Sequence, residues 1–329
     1  MGDVLRRVQE KKNLLDTYRP LSKAVVENLD EWFKIELTYT SNAIEGNTLT
    51  RQETALVVEK GITVEGKSIQ EHLEAISHAK AYEFIQTLMD KNITAITEQT
   101  ILEIHSLILQ NIDPTNTGRY RTVPVRIAGS HVIMPNPIKV PTLMKEFINW
   151  LHQEQNHRIQ KAADAHFKLV SIHPFTDGNG RTARLLMNLI LIQAGYPPAI
   201  IRKEDRRVYI NSIEKGQLSG DRSSYYSLIF TAVERSLDIV LTTFRPKEQR
   251  STTNQSKLLK IGQLAKLTHE TVATIRYWTK EGLLTVSKYT ASGYQLYTPI
   301  MIVRIKKIRT LQSEKRLTIA ELKRVLSSL

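Results

Sequence analysis

The twelve residues from His173 to Arg184, HPFTDGNGRTAR, constrain the chain more than any other stretch. Pro174 disfavours helical backbone at the residue before it, so a helix read over Ala162 to Ile172 must stop at His173. Gly178, Asn179 and Gly180 then supply a tight turn, because glycine tolerates positive φ. A second helix is expected to begin near Arg181. The segment therefore reads as helix, loop, helix, with an unusual set of reactive groups in the loop.

Those groups suit one chemistry. An imidazole fixed on the loop lip at His173 can accept a proton from a nucleophile. Asp177 is a hard oxygen ligand of the kind that shares Mg²⁺ with substrate phosphates. The Gly178–Gly180 turn can direct backbone N–H groups at an anion, and the helix that follows turns its positive end towards the same place. Arg181 and Arg184 lie three apart on one helix face, giving two forked donors for further phosphates. Together these residues describe a site for a nucleoside di- or triphosphate with a base aimed at an incoming hydroxyl.

The rest of the chain is mainly α. Apolar residues recur at helical spacing from Ser68 to Asp90, from Thr97 past Ile108, and from Pro137 to Leu151. The exception is TGRYRTVPVRIAGSHVIMP, where Val123, Val125 and Ile127 alternate, Gly129 and Ser130 supply a turn, and Val132 and Met134 alternate on the return. That pattern predicts a β-hairpin. A helix is expected to end near Phe244, and the polar run over 245–256 reads as a linker.

The linker separates two differently charged regions. From Gln255 to Leu329 fourteen Lys and Arg face four Asp and Glu, a balance of +10 out of the chain's +13. The basicity belongs to the tail and points to a polyanionic partner there. With 329 residues and no cysteine, the chain has length for about two domains, and neither a disulfide framework nor a thiolate metal site is available. Its first twenty residues are charged throughout, without an apolar signal region, and its longest apolar run is too short to span a bilayer. The expectation is a cytoplasmic protein with no membrane partner.

His173, Pro174, Phe175, Asp177, Gly178, Asn179, Gly180, Arg181 and Arg184 resemble the full HPFx(D/E)GNGRxxR signature of the Fic family. The resemblance extends over roughly Thr97 to Phe244. It implies a helical catalytic core over 97–244 that moves AMP from ATP to a Ser, Thr or Tyr hydroxyl of a protein target, the chain itself included, with release of pyrophosphate. By this resemblance His173 deprotonates the acceptor, Asp177 holds Mg²⁺, and Gly178, Asn179 and Gly180 cradle the α-phosphate region. Arg181 and Arg184 would grip the outer phosphates. The hairpin from Arg121 to Met134 is similar to the family's flap, with Val132, Ile133 and Met134 aligning the target by strand addition. His166, seven residues before His173, reads as packing.

Upstream, SNAIEGN closes an apolar helix and leaves Glu45 just before Gly46, a helix-stop residue. A carboxylate is poorly placed at a helix carboxyl end, which favours cations, unless an arginine meets it. Ser41, Glu45 and Gly46 match the (S/T)xxxE(G/N) inhibitory motif found in Fic proteins whose inhibitory helix precedes the core, here within 1–96. By that resemblance Glu45 occupies Arg184 and leaves ATP badly posed, so the transferase is self-inhibited.

In the tail, 257–329, IGQLAKLTHETVATIRYW reads as a helix-turn-helix, with Ile261, Leu264, Ala265, Val272 and Ile275 facing inward. The run EGLLTVSKYTASGYQLY adds a wing turning at Ala291, Ser292 and Gly293. The segment resembles the MerR-type winged helix-turn-helix, which implies DNA contacts from Arg276, Tyr277 and Tyr294. Gln295 stands where that family usually has arginine, weakening one phosphate contact. No long dimerisation helix follows the wing, so any homodimer is expected to form through the Fic part. Two other readings of the whole chain stay open: a transcription regulator that senses nucleotide, and a hydrolase in which Glu45 positions water to remove AMP from a modified protein.

Overall fold

A computed structural model describes residues 2–154, 156–244, 258–290, 294–315, 317–319 and 321–322. The chain divides into two compact units, Met1–Phe244 and Arg245–Leu329. The expected linker over 245–256 and wing turn over 291–293 lie outside the described residues.

The first unit is helical. Its elements run α1 (Gly2–Asp16), α2 (Lys23–Glu45), α3 (Arg51–Lys60), α4 (Ile69–Gln86), α5 (Glu98–Leu109), α6 (Val140–Gln153), α7 (Arg158–Ile172), α8 (Asn179–Gln193), α9 (Arg206–Ser219) and α10 (Ser223–Phe244). Local chemistry sets several ends. Thr50, Ser68 and Thr97 begin α3, α4 and α5 with reciprocal capping boxes, each satisfying otherwise unpaired amide groups. Gly46 ends α2 in the left-handed conformation at φ 110°, which an L side chain would resist. At the centre lies α8, whose Leu185, Leu186, Met187, Leu189, Ile190 and Leu191 are all buried. A helix apolar on every side after its first turn must be enclosed, and α7, α5, α4 and α2 pack around it. That burial fixes the α7–α8 loop in space.

One expectation fails. No residue of 121–134 belongs to a strand; two irregular arms meet at a turn over Ala128 and Gly129, where Ser130 N–H bonds to Ile127 carbonyl at 3.1 Å. The alternation predicted a hairpin, and no strand pairing forms. Pro124 removes one donor, and the arms spend their polar groups elsewhere. Arg121 takes the carbonyls of Val123 and Pro135, while Glu214 on α9 takes the His131 N–H at 2.8 Å and the Ser130 hydroxyl at 3.0 Å.

In the second unit, α11 (Ile261–Thr268) and α12 (Val272–Lys280) flank a short turn. The strands Leu259–Lys260 (β1), Lys288–Tyr289 (β2) and Gln295–Tyr297 (β3) form an antiparallel sheet in the order β1-β3-β2. Helix α13 (Ile300–Lys315) follows. Leu264, Ile275, Trp278, Leu283, Leu284, Tyr297, Ile305 and Ile308 make its own core.

Candidate active site

His173 ends α7 in the left-handed conformation, at φ 51°. Its Nδ1 meets the Val170 carbonyl at 3.3 Å. A carbonyl only accepts, so Nδ1 carries the proton and Nε2 is left as an acceptor. Burial, and the nearby Arg121 guanidinium, hold this imidazole below the ordinary histidine range, favouring the neutral form that a base requires.

The loop after His173 is fixed from three sides. Asn179 spans it, its amide oxygen accepting from Phe175 N–H and its amide nitrogen donating to Phe175 carbonyl, both at 2.9 Å. The Asn179 side chain is thus a strut across the loop. His105 on α5 stacks on the Phe175 ring at 3.7 Å between centroids. It accepts from Gly118 N–H through Nδ1 at 3.0 Å and donates from Nε2 to the Asp177 carbonyl at 3.1 Å. Burial lowers the His105 pKa to about 4 and keeps it neutral for this pairing. Arg121 is 3% exposed and joins the loop to the flap. Its Nε donates to the His173 carbonyl at 2.8 Å, and its other nitrogens reach Val123 and Pro135. Neither His105 nor Arg121 carried a sequence signal, because each reaches the loop through a partner 52 or more residues away.

The cradle beyond His173 has two halves. Asp177 accepts Gly178 N–H at 2.6 Å and an Arg181 Nη2–H at 3.2 Å, with its side chain 67% exposed. Arg181 is 3% exposed, yet its Nε and Nη1 have no hydrogen-bond partner. Glu74 is the other carboxylate near it, at 3.8 Å. Buried orphan donors of a cation are costly unless a ligand completes them. Arg184, one turn along, is complete. Its Nε donates to Ser41 Oγ at 2.9 Å, and its Nη2 to Ser41 carbonyl at 2.9 Å and to Glu45 Oε1 at 2.7 Å.

Glu45 does more than pair. A Cβ placed on Gly180 would fall 2.4 Å from Glu45 Oε1 and 3.0 Å from an Arg184 nitrogen. The carboxylate therefore lies against the first turn of α8, where a bound anion would meet the helix N-terminus. Gly180 matters here for close approach, while Gly178 is the residue in left-handed conformation, at φ 74°. Ile44, beside Glu45, has its carbonyl capped by Arg206 Nε at 2.6 Å.

Behind Arg184 lies a buried polar chain. The Tyr209 hydroxyl and His166 Nε2 are 2.7 Å apart, His166 Nδ1 and the Tyr225 hydroxyl 2.8 Å, and Tyr225 donates to the Ala163 carbonyl at 2.8 Å. Following the donors back from that carbonyl, His166 gives Nδ1–H to Tyr225 and accepts from Tyr209. Desolvation and the Arg184 charge push the His166 pKa to about 3, so it stays neutral. His166 is a packed, satisfied histidine and not part of the reacting set.

On the flap, Ile133 is 81% exposed while Met134 is buried and Val132 half-buried. In the second unit Arg276, Tyr277 and Tyr294 are exposed, and Arg276, Lys280, Tyr289, Tyr294 and Gln295 line one open cleft of about 470 Å³.

Comparison with known proteins agrees with this geometry. The Fic/DOC family profile matches residues 95–191, and the profile of the MerR HTH family of regulatory proteins matches 259–329. The solved structure of Fic-1 residues 134–508 from C. elegans is 34% identical, covers 74% of this chain and 73% of its own, and superposes with a TM-score of 0.67. The chain belongs to the Fic family. Among curated Fic relatives, the protein adenylyltransferase Fic of Culex quinquefasciatus is 39% identical over 239 residues, which is 71% of this chain and 47% of that protein. Its namesake from Nematostella vectensis is 38% identical over 249 residues, 74% and 57% respectively. The chain thus spans about half the length of the curated Fic relatives it matches. No helix among the described residues is long and apolar enough to cross a membrane.

Proposed function

We propose that this Fic protein is a self-inhibited protein adenylyltransferase, moving AMP from ATP to a hydroxyl of a protein target and releasing pyrophosphate. The observation that carries the reading is the contrast within one helix turn: Arg181 buried with unsatisfied donors, Arg184 filled by Glu45 and Ser41. In the active form His173 Nε2 takes the acceptor proton as its oxygen attacks the α-phosphorus. The bond to the β,γ-diphosphate breaks on the opposite side. Gly178, Gly180 and the α8 terminus hold the α-phosphate, and the two arginines receive the outer phosphates. Ile133, exposed on the flap, would meet the target by strand addition. Asp177 is a hard, largely exposed carboxylate, and no cluster of three metal-ligating side chains exists among the described residues. That donor set fits a Mg²⁺ held by one carboxylate, phosphates and water. The ion would neutralise charge on the leaving diphosphate.

We assign the second unit a DNA-binding role, its basic surface at Arg276, Lys280 and Tyr294 meeting phosphate. Binding should then weaken steeply with salt.

Label transfer from α-³²P-ATP tests the enzyme reading in three chains: intact, Glu45→Gly, and Glu45→Gly with His173→Ala. Strong labelling of protein in the Glu45→Gly chain alone is expected. Its pH profile should hold its plateau through pH 7 and down past the ordinary histidine value of about 6.5, falling only at more acid pH, because burial keeps His173 unprotonated. No label in any chain, with lysate supplied as target, would overturn the reading and favour a nucleotide-sensing regulator. Release of AMP from a modified protein by the Glu45-intact chain would instead reverse the reaction's direction.

A further inference from the structure

A second cleft, away from His173, lies on the outer face of the helix that carries Glu45. Its volume is about 290 Å³. One wall is α2, through Trp32, Glu36, Tyr39 and Thr40, four residues on one helical face. The other wall is the segment 200–204 together with Arg235, Ser236 and Ile239 of α10, and Arg51 of α3 closes one side.

Three features mark it as built for a ligand. The Ser236 hydroxyl lines it, is fully buried, and has no hydrogen-bond partner. Four cations line it against two acids. Arg51 is paired with Glu36 and lies 5.8 Å from the Trp32 ring centre, and Arg235 is paired with Asp205 at 3.0 Å. Arg202 and Lys203 are exposed and have no acidic partner among the described residues. Against the exposed Glu204 on the same wall, Arg202 and Lys203 leave a positive balance. The two aromatic rings, Trp32 and Tyr39, supply a flat apolar surface beside it. The volume sits at the low edge of the ~300–1,000 Å³ typical of ligand pockets, room for one ring system and one phosphate.

We propose that this cleft is a regulatory site for a phosphate monoester on a planar ring, of the nucleoside monophosphate class. Both walls are needed to form it, so its occupant binds only while α2 is docked. Whatever binds the docked state alone stabilises that state. The coupling path is short: Thr40 adjoins Ser41, which holds Arg184, and Arg206, two residues beyond Glu204, caps the Ile44 carbonyl. Occupancy therefore strengthens the hold of Glu45 on Arg184. This regulatory half rests on the adenylyl-transfer reading; the binding half does not.

The test is equilibrium binding of AMP by calorimetry to the full chain carrying Arg181→Ala, which strips the catalytic cradle of its free guanidinium. Saturable AMP binding should persist. Adding Arg202→Ala and Lys203→Ala, both at exposed positions, should weaken it at least tenfold with thermal stability unchanged. Adenosine and inorganic phosphate alone should each bind at least tenfold more weakly than AMP. Loss of all binding in Arg181→Ala, indifference to the double substitution, or phosphate binding as tightly as AMP would each overturn the proposal. For regulation, AMP should reduce label transfer by the Glu45-intact chain at least fivefold more than it does in the Arg202→Ala/Lys203→Ala chain. Binding without transfer in any variant would refute the enzyme reading and leave the site standing. Transfer with no cleft binding would do the reverse.

Discussion

Arg181 and Arg184 leave the same face of α8 one turn apart, both about 95% buried, and they meet opposite fates. Arg184 has its Nε and Nη2 donors spent on Ser41 and Glu45. Arg181 keeps two buried nitrogens without partners and leans on Asp177 at 3.2 Å. The difference teaches how the resting state is held. His173, the loop and the inner half of the cradle are assembled; only the outer half is filled, by the Glu45 carboxylate. On the proposed self-inhibited reading, occupation leaves nothing to be rebuilt on activation except the position of one side chain.

The strongest way to break that contrast is to empty the outer half. Glu45→Gly should raise label transfer about 5- to 150-fold, the range of coupling between competing ligands. Glu45→Gln keeps the shape and loses the charge, so its initial rate should fall between the two. A Gln variant as active as Gly would mean that charge, not occupancy, sets the block. A Gln variant as silent as the parent would mean the reverse.

The arginines themselves sharpen it next. Arg181→Ala should lower ATP affinity about tenfold whether Glu45 is present or not, the worth of roughly one charge-assisted hydrogen bond. Arg184→Ala should lower it only in the Glu45→Gly chain, because in the parent Arg184 is already engaged. Nucleotide titrations of the four single and double variants decide the matter. Equal losses for both arginines in the parent would erase the asymmetry.

Much of this was legible before any coordinates. Pro174 and the Gly178–Gly180 turn forced helix, loop and helix. Glu45 stood out because a carboxylate at a helix carboxyl end needs a reason. What escaped the sequence was whatever depends on distant partners. His105 and Arg121 look like ordinary polar residues until the fold brings them to the Asp177 and His173 carbonyls. Asn179 read as part of an anion nest, yet its side chain is consumed by Phe175. The flap's alternation predicted a pairing that does not form, because alternation describes which way side chains point and says nothing of where the backbone hydrogen bonds go. There they went to Arg121 and Glu214.

The smallest effect probes what keeps the plug in place. Arg206 Nε caps the Ile44 carbonyl at 2.6 Å from an exposed position at the start of α9. A cation at a helix carboxyl terminus contributes about 0.3–1 kcal/mol when exposed, and salt screens it. Arg206→Ala should therefore leak, raising transfer about 2- to 5-fold, while Arg206→Lys should stay closer to the parent. Raising ionic strength should shrink the gap between parent and Arg206→Ala, because the parent loses the contact that the variant already lacks. In the Glu45→Gly chain the same substitution should change nothing, since the helix end no longer carries a plug to hold. A leak of equal size in both backgrounds would place Arg206 in the transfer machinery and not in the latch.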